Sequence, residues 1–390
     1  MQSTKIAYIT GPQFLEECDR NSKASVTHEL ISAYKLLTQE VTNISPQPAT
    51  EDELKSFHSE DYIQHLKTIS KETIDEIDEL QSDYGYDCPV LANMFSYAST
   101  IAGGTISGAR CLAEFNFQIA INWCGGWHHA KKDEAAGFCY VNDIVLGILV
   151  LRRKFKKILY VDLDVHHGDG SGDVFETGCG PGKNFTVNVP LKDGIRDAQY
   201  FDIFSKVMTL VRRKFEPDAI VCQCGVDGLA GDPMEAFNLT PVALGNCIRY
   251  LLNWKLPILF LGRRVMTLVR RKFVRHCGVD GLAGDPMEAF NLTPVALGNC
   301  IRYLLNWKLP ILFLGGGGYN VPNAARCWTY LTSLIVGKNI SNDIPDNHVD
   351  FISRNSDPIL PYKYHLATVQ TKTQTKTSNR CYTLSQRTSA

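Results

Sequence analysis

The chain's absences come first. Thirteen cysteines are present, but no two stand in a CxxC pair and their number is odd. That removes the sequence case for zinc-ligating cysteines, and Cys222 and Cys224 of "CQC" read as core residues of a strand-like run. Net charge is only −1, which removes an electrostatic case for nucleic acid or an anionic membrane as main partner. No apolar run reaches the length of a membrane span. The opening "MQSTKIAYITGPQF" has no signal-peptide apolar segment and reads as a strand entering a turn. Reduced thiols in cytosol or nucleus are therefore expected.

The chain has 390 residues, 44% hydrophobic and 21% charged, enough to bury a large core. Short apolar runs at 5–10, 118–123, 157–163, 185–190, 218–224 and 309–314 predict strands. Helices are expected near 25–38, 50–69, 90–115, 141–154, 197–214, 241–253 and 322–336, with Thr50 and Glu53 forming a capping box. Runs that are apolar almost throughout suit parallel strands covered on both faces. The expected fold is α/β: a single-domain open parallel sheet with helices on both faces. Residues 71–87 read as an acidic surface loop or short helix, and 346–390 are expected to be a polar, disordered tail.

Residues 224–262 and 277–315 are letter-for-letter identical, and "VMTLVRRKF" recurs at 207–215 and 265–273. A structural repeat keeps its core while its surface drifts; here the surface matches too. The pattern predicts a recent exon duplication or a gene-model error rather than a working tandem repeat. Only the first copy follows an apolar strand, "DAIVCQ", and only the second ends in "GGGGYN". A complete unit takes the start of one and the end of the other.

The chemistry gathers at strand ends. In "YVDLDVHHGDG" (160–170), side-chain alternation puts Asp162, Asp164 and His166 on one face. Ligands of open parallel sheets collect at the carboxyl ends of strands, so Asp164 and His166 are placed to reach one metal ion. The third ligand is expected to be Asp227, which follows a core strand; Asp280 is the alternative in the second copy. Two carboxylates and an imidazole leave an open position, as catalytic sites do. Zinc suits these donors, and so do iron(II) and other first-row ions. Acids and imidazoles at a strand end also serve merely to satisfy backbone groups, so the neighbouring motifs decide.

"NWCGGWHHAKKDEAAGFCYVND" (122–143) places His128 and His129 in a Gly-flanked loop after another strand. Paired imidazoles suit a hydrolase that needs a base for water and an acid for a leaving amine. Asp162 and Asp169 are placed to orient one histidine each. "LGGGGYN" (314–320) lets backbone approach the site and lets the Tyr319 hydroxyl donate to an oxyanion.

Taken in order, "GGWHHAKKDEAAGFCY", "YVDLDVHHGDG", "GDPMEAFNLTP" and "GGGGYN" resemble the class I histone deacetylase family over roughly 1–345. The resemblance implies an arginase/deacetylase-like fold and zinc-dependent hydrolysis of acetyl-lysine in histones or other proteins. It implies Asp164, His166 and Asp227 as metal ligands and His129 as general base, with His128 as its partner. Asp169 and Asp162 stand behind the histidines. Tyr319 polarises the acetyl carbonyl, Phe138 walls the lysine tunnel, and Gly137 offers a carbonyl to the substrate N–H. Asp87 holds the peptide backbone, and Met234 (or Met287) lines the tunnel. Residence in nucleus and cytoplasm is implied, with no direct nucleic-acid or membrane partner.

The chain departs from the pattern near 171–184, where the family carries a longer stretch with a strand, a second aromatic wall and part of a monovalent-cation site. Two alternative readings follow. One is a catalytically impaired isoform, or a faulty gene model, acting at most as a binding protein. The other is a related deacetylase of small acetylated amines.

Overall fold

Seven short strands and ten helices are seen among the described residues, and every ladder between strands is parallel. The structure is a computed structural model. It describes residues 4–19, 23–69, 88–90, 93–163, 175–178, 182–223, 228–230, 237–261, 279, 282, 285–286, 293–341 and 343–345. All of these belong to the unit Met1–Ser356.

The strands are β1 (Ile6–Ile9), β2 (Val41–Ile44), β3 (Ile119–Asn122), β4 (Ile158–Asp162), β5 (Ala219–Gln223), β6 (Ile258–Leu261) and β7 (Ile311–Leu314). The helices are α1 (Pro12–Cys18), α2 (Lys23–Ala33), α3 (Glu51–Lys55), α4 (Glu60–Ile69), α5 (Met94–Ala113), α6 (Asp143–Leu151), α7 (Asp197–Phe215), α8 (Pro241–Leu252), α9 (Pro294–Asn306) and α10 (Val321–Ile335). None of the described helices is long and apolar enough to cross a membrane.

Alternation along the strands feeds two cores. Ile6, Tyr8, Ile119, Ile121, Ile220, Cys222, Ile311 and Phe313 face one side, against α8, α9 and α10. Ala7, Ile9, Ala120, Val221, Leu312 and Leu314 face the other, against α4, α5 and α6. A sheet covered on both faces needs apolar residues at consecutive positions, which is why these runs barely alternate in polarity. The expected helix-flanked parallel sheet is found.

The ladders fall into two sets. One runs β2-β1-β3-β7, with Ile6 opposite Ile119 and Ile119 opposite Ile311. The other runs β4-β5-β6, with Val161 opposite Cys222 and Cys222 opposite Phe260. β6 and β7 carry the same letters, ILFL, and belong to the two copies. They lie beside one another, and among the described residues no ladder joins them. The duplicated strand thus takes the pairing with β5, while its twin pairs with β3.

Two local expectations differ. The helix predicted over 50–69 divides into α3 and α4. The Thr50–Glu53 capping box starts α3 as expected. The chain then leaves helical conformation so that His58 can turn inward, where its Nδ1 lies 3.1 Å from the Lys132 carbonyl oxygen. The strand predicted over 185–190 is irregular, with Phe185 and Val187 exposed. A strand needs a partner in register and a covered face. Among the described residues this segment has no ladder partner. Sequence reading also missed α1, β2, β6 and α9. The acidic stretch 71–87 and residues 346–390 lie outside the described residues.

Candidate active site

The ends of β3, β4, β5 and β7 converge on a loop whose backbone is held by side chains at the start of α6. After β3 the chain runs through Gly125 and Gly126 to His128 and His129. Asp143, fully buried at the start of α6, anchors this loop. Its Oδ1 accepts from the Trp127 N–H at 2.7 Å, and its Oδ2 accepts from the Gly126 N–H at 2.8 Å and the Thr105 hydroxyl at 2.5 Å. Burial pushes the Asp143 carboxyl up to about 6, against the lowering effect of these donors. Asn142, the helix cap beside it, accepts from the Val145 N–H and donates to the carbonyls of His128 and Ala130. Both ends of the histidine pair are therefore tied to one helix N-terminus.

His128 and His129 are both buried, and their ring centroids lie 3.9 Å apart. Asp162, the last residue of β4, stands with Oδ2 3.9 Å from His128 Nδ1. That is ion-pair range rather than a hydrogen bond. The Gln223 amide at the end of β5 lies closer, donating to His128 Nε2 at 2.9 Å. A neutral ring that accepts at Nε2 would carry its proton on Nδ1, which lies 3.9 Å from Asp162 Oδ2. Gln223 was missed in the sequence; its signal is a polar residue ending an otherwise apolar strand, where burial demands a partner.

Ala136–Cys139 forms a tight hairpin, with both backbone bonds made between the two end residues. Its central residues, Gly137 and Phe138, have φ of 54° and 63°. Left-handed backbone is easy for glycine but costs phenylalanine about 1–2 kcal/mol. The turn puts the Phe138 ring centroid 6.3 Å from that of Tyr319. Gly137 lies against the His129 imidazole, where a Cβ would approach the ring to 2.6 Å.

Tyr319 follows β7 through a glycine run. Gly315 must be glycine because a Cβ there would sit 1.8 Å from the Trp123 carbonyl oxygen. The Lys23 ammonium donates to the Gly316 and Gly318 carbonyls at 3.1 and 3.2 Å and lies 5.0 Å from the Trp328 ring. Asp285 accepts from the Tyr319 N–H at 2.7 Å. Lys23, Asn142, Asp143 and Asp285 are positioning groups that sequence reading did not find, because each acts through backbone atoms.

Of the predicted residues, the structure brings together His128, His129, Asp162, Gly137, Phe138 and Tyr319. Asp87, Asp164, His166, Asp169, Asp227, Met234, Asp280 and Met287 lie outside the described residues. Among the described residues no three His, Cys, Asp or Glu side chains gather as a metal cluster. By its chemistry the donor set suits a divalent ion: two carboxylates and an imidazole, Asp164, His166 and Asp227, follow β4 and β5 in the sequence.

Fold and site together define a class: a hydrolase of the arginase/deacetylase-like α/β type. A family profile described as the histone deacetylase domain matches residues 17–177, 170–263 and 271–335. Its first two segments overlap at 170–177, and the second and third part between the two copies. Histone deacetylase 8 of Xenopus tropicalis is 40% identical over 385 residues, covering 90% of this chain and 89% of the relative. Histone deacetylase 8 of Danio rerio is 39% identical, covering 89% and 85%. Histone deacetylase B of Dictyostelium discoideum is 36% identical, covering 82% and 71%. The chain belongs to the class I histone deacetylase family. Membership makes it a protein-lysine deacetylase and implies a divalent metal ion.

Proposed function

We propose that the chain hydrolyses the acetyl amide of N-ε-acetyl-lysine in histone tails or other proteins, releasing acetate, with zinc held by Asp164, His166 and Asp227 (or Asp280). When bound, such an ion acts as a Lewis acid on the acetyl carbonyl and makes water more acidic. His129 takes the proton from water. His128 shares the positive charge that follows, with Asp162 and Asp169 behind the pair. The Tyr319 hydroxyl donates to the developing oxyanion. A free lysine amine has a pKa near 10.4, so it departs only with a proton, which the histidine pair returns to it. The Gly137 carbonyl accepts the substrate N–H, Phe138 and Met234 (or Met287) line the lysine's path, and Asp87 holds the peptide backbone.

The observation that carries this reading is the buried contact of His128 and His129 beside Asp162, linked through Gly137 and Phe138 to Tyr319. We read residues 1–345 as the deacetylase domain and 346–390 as a polar tail, and we assign the protein to nucleus and cytoplasm. Turnover of a fluorogenic acetyl-lysine peptide by zinc-loaded protein is the test. Tyr319→Phe is expected to lower kcat by about 10²–10³-fold. Folded, metal-loaded protein that releases no acetate would overturn the proposal. Faster turnover of an acetylated polyamine than of the peptide would replace it with the small-amine reading.

A further inference from the structure

The two copies share one sequence, and described residues of the second copy reach the glycine run that carries Tyr319. In the first copy, the Ala230 N–H donates to the Leu239 carbonyl at 2.9 Å, and the Leu239 N–H donates to Gly228 at 3.3 Å. In the second copy, the Val279 N–H donates to the Gly317 carbonyl at 2.9 Å, and the Val279 side chain lies against Gly318. Leu282, 3% exposed, and Asp285, 2% exposed, close the same turn, through Leu282 N–H to Val279 and Asp285 N–H to Leu282, both at 3.1 Å. From there Asp285 Oδ2 accepts from the Tyr319 N–H at 2.7 Å and the Asn320 N–H at 3.1 Å. Asn320 caps α10, its side chain accepting from the Asn323 N–H at 3.1 Å. The backbone on either side of the Tyr319 side chain is thus fixed between a buried carboxylate and a helix start.

We propose that Asp285 is a positioning residue for Tyr319, and that the second copy rather than the first builds this wall of the site. The inference rests on the deacetylase reading for its catalytic consequence, though not for its geometry. A carboxylate that fixes two consecutive N–H groups sets the direction in which the Tyr319 hydroxyl points. Asp285 touches no reacting atom and acts only through that backbone. Asp232 occupies the identical sequence position in the first copy and lies outside the described residues; the proposal gives the role to Asp285.

The test sets Asp285→Ala and Asp285→Asn against Asp232→Ala in the full-length, zinc-loaded protein. Asp285→Ala is expected to lower kcat about 10²-fold with little change in KM. Asp285→Asn, which keeps one acceptor oxygen, should fall less, and Asp232→Ala should match the parent chain. In a Tyr319→Phe background Asp285→Ala should add little, because both changes remove the same hydroxyl's contribution. Amide hydrogen exchange provides the readout that needs no activity: Tyr319 and Asn320 should exchange faster in Asp285→Ala and unchanged in Asp232→Ala. Equal effects of the Asp232 and Asp285 variants on exchange would overturn the proposal. So would a full kcat loss that persists on top of Tyr319→Phe. A parent chain with no turnover defeats the deacetylase reading alone, and exchange then decides the role of Asp285.

Discussion

Two buried ionisable groups set how the site responds to acid, and they act in opposite directions. Burial pushes His58 from its ordinary 6.5 down to about 4, outweighing its bond to the Lys132 carbonyl. Its Nε2 accepts from the Asn142 N–H at 3.0 Å, so the folded protein keeps the ring neutral. As pH falls from about 6.5 to about 4 the unfolded chain takes the proton first, costing up to about 3 kcal/mol of stability. Asp143 has the reverse sign. Its folded pKa is raised to about 6 from 3.8, so the folded protein takes the proton first and gains stability as pH falls through that window. Urea midpoints measured from pH 7 to pH 4 should therefore fall less in His58→Gln and more in Asp143→Asn than in the parent. At pH 7, Asp143→Asn should still cost about 1–3 kcal/mol, since its new amide N–H₂ faces N–H or O–H donors. The Gly137 site makes a separate prediction. Gly137→Ala places a methyl against the His129 ring, and kcat should fall at least about tenfold, by displacing the base. Unchanged kcat in that variant would remove His129 from its assigned role.

At the scale of elements, the segment 185–190 behaves as surface despite its strand-like letters. Val187 is 62% exposed, whereas Val221 in β5 is 1% exposed. Val187→Lys should therefore change stability by no more than about 0.5 kcal/mol, and Val221→Lys should prevent folding. Thermal melts of the two variants check this; a large loss in Val187→Lys would mean the segment is buried after all. The strands and their helices were otherwise largely legible. Six apolar runs were expected to be strands, and five form, because a doubly covered parallel strand must be apolar throughout. The sixth failed because apolar letters do not supply a ladder partner. β2 was missed because VTNI is neither buried nor apolar enough to signal itself, with burial running from half-buried to exposed. It exists because β1 offers it a register, Ile6 opposite Val41.

Among the described residues the strands form two ladder sets rather than one continuous sheet. β6 and β7 are twins at the facing edges of the two ladder sets. Removing residues 224–276 joins β5 directly to the second copy and leaves β7 free to pair with both β3 and β5. That chain should form one continuous sheet and melt at least about 2 °C higher than the parent. With Asp280 as third metal ligand its acetyl-lysine turnover should be no lower; loss of turnover would assign that ligand to Asp227, which the deletion removes. A lower melting temperature would mean that β6 belongs to the fold.

Composition and strand periodicity were enough to establish an α/β protein with a covered parallel sheet, because burial on two faces writes itself into consecutive letters. The motifs were enough to name the histidine pair, the tyrosine and the acids, since their chemistry resides in side chains. Position along the chain did not reveal the roles of Asp143, Asn142, Lys23 and Asp285, whose partners are backbone atoms distant in sequence. Nor do two identical stretches of letters distinguish themselves. Only packing separates them, because a carboxylate's partners depend on which backbone N–H groups the fold brings within about 3 Å.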